Sequence, residues 1–241
     1  MRVIACATVV EELTPLLPAG VQCQVFDFGR HVAPDRLKEA LQDAIDAAPA
    51  SARTIVLGYG LCSNAVVGLR SDACTLVVPR MDDCIGIFLA SDEAYKRQRS
   101  STPGTYYLTK GWIEAGNGPF GEYRGMVERY GQEKADWLMD RILSHYTRLA
   151  LINIGQYELE RYRTLARQTA EQFGLSYEEI PGSTRLLQKM DCGPWDEEFL
   201  VVPPGKSIRF ADFRHAVPPS PGKVQPSQQD KTKERIVCHK S

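Results

Sequence analysis

The chain has 241 residues, of which 43% are hydrophobic and 24% charged. That composition excludes global disorder, and a chain of this length buries enough surface to fold without a disulfide or metal staple. The 29 Lys and Arg nearly balance the 30 Asp and Glu, so there is no electrostatic footprint for nucleic acid or an anionic membrane.

No apolar run approaches the about 20 residues of a spanning helix. The N-terminus, MRVIACATVVEELTPLL, turns acidic too early for a secretory leader, so a cytoplasmic location is expected. In a reducing compartment the seven cysteines are expected as thiols, metal ligands or reactive groups rather than disulfides; no CxxC pair occurs among them.

In chain order, residues 2–9 read as a first strand and 22–28 as a second. Residues 34–48 form the clearest helix. Pro34 suits its first position, and Leu37, Ala40, Leu41, Ala44, Ile45 and Ala48 make an apolar stripe. Residues 53–58 (RTIVLG) are a third strand, followed by the turn GYGLCSN and a short helix over 64–69. Residues 75–79 (TLVVP) are a fourth strand, after which 81–90 lead into a helix continuing towards Arg99. Residues 105–109 (TYYLT) fit an edge strand or an extended lid. Residues 120–146 read as a long helix with a break near Gly131, 149–155 as a buried strand, and 157–173 as a helix. Two later strands follow at 175–180 and 199–202. Near-continuous apolar strands alternating with amphipathic helices predict an α/β fold: a mainly parallel, Rossmann-like sheet with helices on both faces, its chain arranged as two related halves. Residues 1–215 are expected to form a single domain. The Pro-, Gln- and Lys-rich segment 216–241 reads as a disordered tail.

In parallel α/β sheets ligands bind beyond the carboxyl ends of the strands. Cys6 ends the first strand, Cys62 lies in the turn after the third, and Cys84 follows the fourth. Neighbouring strands are about 4.8 Å apart, so three such thiols can converge on one ion. Thiolates suit zinc, copper(I) or an iron–sulfur cluster, and three of them leave one position open, as in a catalytic site. The competing reading is that all three are small buried residues at crowded strand ends.

Gly60 and Asn64, in GYGLCSN, belong to a glycine-bearing turn that permits close approach to a substrate. The turn half resembles GxGxxG, with Asp82 and Asp83 about 20 residues further on, but it lacks the third glycine. In PRMDDCIG, Asp83 is the candidate proton-transfer residue, with helix capping expected of one acid of the pair. Arg80 either holds an anionic substrate group or pairs with these acids. In PGTYYLTKGWIEAG, Tyr107 and Trp112 are candidates to roof a pocket, against the alternative of ordinary packing. None of the four histidines has metal-type spacing. His239 beside Cys238 lies in the tail, and Cys192 is a reserve ligand in a turn.

Taken together, GYGLCSN, DDCIG and GTYYLT…GW resemble a bacterial and archaeal family known as domain of unknown function 1638. The resemblance runs from about Met1 to Gly205. It is carried by Cys6 with Glu11 or Glu12, by Gly60, Leu61, Cys62 and Asn64, by Asp83, Cys84, Ile85 and Gly86, and by Gly104, Thr105 and Tyr106. It implies joint action of Cys6, Cys62 and Cys84, and a context beside corrinoid-dependent methyltransferases.

Three functions are then expected. The first is a three-cysteine metal protein, binding zinc or an iron–sulfur cluster and acting on a small-molecule substrate in methyl-group or corrinoid metabolism. The second is a non-catalytic module delivering metal or corrinoid to a methyltransferase partner. The third is a nucleotide-binding α/β enzyme using Gly58 to Asn64.

Overall fold

The computed structural model describes residues 1–27, 33–62, 64–116, 118–155 and 158–214. The fold is α/β and Rossmann-like, but its strands make two sheets where one was expected. The five-stranded sheet has the order β2 (Gln22–Phe26), β1 (Arg2–Cys6), β3 (Thr54–Gly58), β4 (Thr75–Pro79), β8 (Phe199–Val202). Its first four strands are parallel, and β8 returns antiparallel to β4. The second sheet is parallel throughout, with β6 (Arg148–Asn153) between β5 (Thr105–Leu108) and β7 (Ser176–Pro181). The second half of the chain thus supplies its own sheet and then crosses back. With Phe199, Leu200 and Val202 buried, β8 covers the edge that β4 would otherwise expose.

Burial follows sequence. β1, β3 and β4 are buried from their second residue onward, and they are the near-continuous apolar runs of interior parallel strands. The edge strands β2 and β7 mix polar with apolar residues and are half exposed. One apolar core joins residues of both sheets.

The predicted first strand stops at Cys6. Ala7–Leu13 is a helix, α1, although Thr8, Val9 and Val10 are β-branched. Strand propensity is a weak preference that packing overrides. Here Thr8, Val9, Val10, Glu12 and Leu13 are all buried, with α1 packed against α5 (Lys110–Ala115). α2 (Pro34–Asp46) forms where the apolar stripe predicts it. Residues 64–69 form turns instead of a helix, because Asn64 (φ 67°) and Gly68 (φ 90°) both sit in the left-handed region.

The helix expected to run on to Arg99 is divided into α3 (Cys84–Phe88) and α4 (Asp92–Ser101). Ala90 has φ 68°, and the Ser91 side chain accepts from the Ala94 N–H at 3.0 Å to start α4 afresh. The long helix breaks at Gly131 (φ 81°) into α6 (Pro119–Tyr130) and α7 (Gln132–Leu143), as its glycine predicts. α8 (Leu159–Gln172) packs on β6 and β7, and α9 (Arg185–Cys192) packs on β3, β4 and α3. The expected tail lies outside the described residues.

Candidate functional site

The order β1-β3-β4 sets three parallel strands side by side, so their carboxyl ends adjoin. Ala5 pairs with Gly58, and Val56 with Val77. Gly58 is required at that pairing, since a Cβ there would stand 2.4 Å from the Ala5 Cβ. Each of the three strand ends delivers one cysteine. Cys6 is the last residue of β1 and the N-cap of α1, and Cys84 is the first residue of α3. Cys62 follows β3 with φ 45°, a left-handed conformation that a non-glycine residue holds only when its surroundings enforce it.

The enforcement comes from the loop after β4. Leu61 N–H donates to the Met81 carbonyl at 2.9 Å, and Cys62 N–H to the Asp82 carbonyl at 3.2 Å. Gly60 allows this approach, because a Cβ there would stand 2.7 Å from the Met81 oxygen and 2.8 Å from the Asp83 Cα. These contacts bring the turn that carries Cys62 against the loop that leads into Cys84. Hydrogen bonding to Cys62, burial and the neighbouring Cys62, Asp83 and Cys6 hold the Cys84 thiol well above its ordinary pKa. Cys6 is pushed up to about 11, chiefly by burial, and its Sγ accepts from the Thr8 hydroxyl at 3.3 Å. All three thiols are buried and feel one another electrostatically. Among the described residues, however, no three His, Cys, Asp or Glu side chains stand close enough together to hold a metal ion.

Asp83 is engaged at both oxygens. Oδ1 accepts from the Ile85 N–H at 2.8 Å, capping α3, and Oδ2 accepts from the Tyr95 hydroxyl at 2.6 Å. Burial raises its pKa. Capping therefore falls on the acid singled out for proton transfer, while Asp82 is exposed near Arg99. Tyr107 and Trp112 are both buried, packed edge-on against Tyr95 and Phe88 respectively. Both line a cleft of about 550 Å³ together with Ile85, Tyr95, Arg99 and Tyr106. Ile85, which directly follows Cys84, is the lining residue that links this cleft to α3; none of the three cysteines lines it.

Asn64 is exposed, and its carbonyl closes a turn with the Val67 N–H at 3.0 Å. Arg80 lines a different depression, beside residues 201–214. A larger depression of about 850 Å³, between α2 and residues 68–72, is lined mostly by charged side chains and holds no thiol. Cys74 donates to the Ala52 carbonyl, and exposed Cys192 lies on α9. His31, His215, Cys238 and His239 lie outside the described residues.

The burial partners of two acids have no local sequence signature. Tyr95 meets Asp83 only because α4 folds back beside α3. Glu12 is an acid inside the apolar run VVEEL, and it ends buried at 1% exposure with its carboxylate accepting from the Gly111 N–H at 3.0 Å. Burial raises the Glu12 pKa. A carboxyl whose folded pKa is raised contributes stability below its unfolded pKa, and that contribution is lost as pH rises through the folded value. We therefore expect Glu12→Gln to gain stability relative to the parent as pH rises from 4 to 8. Urea denaturation across that range checks this; a difference that is flat, or that shrinks with pH, contradicts it.

A family model described as protein of unknown function (DUF1638) matches residues 25–190. The chain belongs to the DUF1638 family. The matched segment contains Cys62, Asp83, Cys84, Tyr107 and Trp112, but begins after Cys6 and so falls short of the Met1 to Gly205 expected from the motifs. No curated protein and no solved structure matches the chain.

Proposed function

We propose that this DUF1638 protein binds a soft metal, as zinc or an iron–sulfur cluster, through the thiolates of Cys6, Cys62 and Cys84. The observation that carries this reading is geometric: three adjacent parallel strands each lead into one buried cysteine at the same end of the sheet, and Cys62 is held in a left-handed backbone conformation. The donor set fits such a metal in kind. It does not yet fit in spacing, so binding draws the three sulfurs together.

Zinc with an open position would supply a Lewis acid to a substrate thiol, and a cluster with three protein ligands would leave one iron open to a small molecule. The chain's own residues do the rest. Thiols with raised pKa values release their protons when they become ligands, so binding is strongly pH-dependent. Asp83 and Tyr95 fix the start of α3 and hence the position of Cys84. Tyr107 and Trp112 wall the neighbouring cleft, where a small-molecule substrate is shielded from water.

A role in methyl-group or corrinoid metabolism, as an enzyme or as an accessory module beside a methyltransferase, rests on the family resemblance alone. The nucleotide reading is weaker. Leu61 and Cys62 already donate their N–H groups to the β4–α3 loop, and among the described residues no helix N-terminus follows the turn before β4.

Anaerobic titration with cobalt(II) tests the proposal. We expect saturation at one ion per chain with a thiolate charge-transfer band, and at least about tenfold weaker binding when any one of the three cysteines becomes serine. Uptake that survives all three replacements overturns it.

A further inference from the structure

Arg80, a candidate from sequence to hold an anionic substrate group, lines an open depression of about 820 Å³ with Lys206, Arg209 and Arg214. Among the described residues Asp212 is its one acidic lining residue, and Asp212 is already paired with Arg209 at 2.6 Å. Among the described residues, Arg80, Lys206 and Arg214 have no carboxylate within ion-pair distance. The Arg80 Nε is shut off from solvent and has no hydrogen-bond partner there.

The cations are presented from anchored backbone. Ile208, at 1% exposure, is pinned on both sides: its N–H donates to the Leu69 carbonyl at 2.9 Å, and its carbonyl accepts from Gly68 at 2.8 Å. Gly205 N–H donates to the Ser71 carbonyl at 2.8 Å, and Ser207 bridges Arg70. Lys206 and Arg209 are thus held on either side of a buried residue. Arg80 is fixed by its own N–H, donated to the Glu198 carbonyl at 2.8 Å. Residues 215–241 follow at once in sequence, but they are poor neutralisers: Lys223, Lys231, Lys233, Arg235 and Lys240 outnumber Asp230 and Glu234.

We propose that this depression is a binding site for the phosphoryl groups of a small molecule, separate from the thiol site. Planar guanidinium forks match phosphate oxygens two at a time, and four cations around one carboxylate exceed what a single carboxylate ligand would neutralise.

The test is calorimetric titration of the full chain with inorganic phosphate and inorganic pyrophosphate at low salt. We expect saturable one-to-one binding, tighter for pyrophosphate, and weakening as salt is raised. Lys206→Gln, at an exposed position where folding is not at risk, should weaken pyrophosphate binding about tenfold, and Arg80→Gln should do so at least as strongly. Lys38→Gln, on the other side of the 68–72 turn, should leave it unchanged. The proposal is overturned if neither anion binds saturably, or if Lys38→Gln weakens binding as much as Lys206→Gln, which would mark it as unspecific attraction.

Discussion

Gly111→Ala is expected to destabilise the fold by about 3 kcal/mol, the sum of overpacking and a lost buried hydrogen bond. A Cβ on Gly111 would stand 2.2 Å from the Thr8 carbonyl oxygen and 2.9 Å from its carbon. Both are backbone atoms, so no side chain can rotate out of the way. α1 cannot retreat either, because it continues directly from β1 through Cys6. The two helices must part, and the Gly111 N–H then leaves the Glu12 carboxylate, which is buried at 1% exposure. Urea denaturation gives the difference directly. Gly125→Ala is the control: it adds a methyl where nothing lies within 4 Å, in the middle of α6, and should stabilise by about 0.5–1 kcal/mol. A Gly111→Ala cost below about 0.5 kcal/mol would contradict the close packing of α1 on α5.

Gly60→Ala is expected to cost about 2 kcal/mol and to weaken metal binding about 10–100-fold, the usual range for residues that position ligands without being ligands. Its Cβ would press on the Met81 oxygen, the Asp83 Cα and the Asp83 carbonyl carbon, again all backbone. Pushing the two loops apart breaks the Leu61–Met81 and Cys62–Asp82 hydrogen bonds that bring Cys62 beside Cys84. Cobalt(II) titration and denaturation of the same preparation separate the two effects. A variant that is destabilised yet binds cobalt with parental affinity would show that the loop contact does not position the thiols.

The strand ends that carry Cys6, Cys62 and Cys84 were legible because interior parallel strands are apolar throughout, and such runs stand out. Their adjacency was not legible, since nothing in RTIVLG or TLVVP says which strand lies beside which. The same gap hid the second sheet and the return of β8 to the edge of β4: local pattern specifies a strand, and long-range packing chooses its partner. α1 misled because β-branched residues favour strands, whereas the helix is stabilised by contacts with α5 some 100 residues away. The break at Gly131 was visible because glycine at positive φ leaves a local mark. The surroundings of Arg80 are not legible either, because the residues that share its depression come from the 201–214 segment, more than 100 residues away in sequence. Tyr95 was invisible as the partner of Asp83 for a related reason: the turn at Ala90 that folds α4 back beside α3 depends on a left-handed alanine, which no propensity predicts.

Whether the three thiols at the carboxyl ends of β1, β3 and β4 form one metal site is decided by anaerobic purification of the full chain, followed by elemental analysis and an absorption spectrum. We expect near-stoichiometric zinc in a colourless protein, or iron with sulfide in a brown one, and loss of that metal when Cys62 or Cys84 is replaced by serine. Protein that carries no metal, and takes none up when zinc or iron and sulfide are supplied, would contradict such a site and leave three packed thiols.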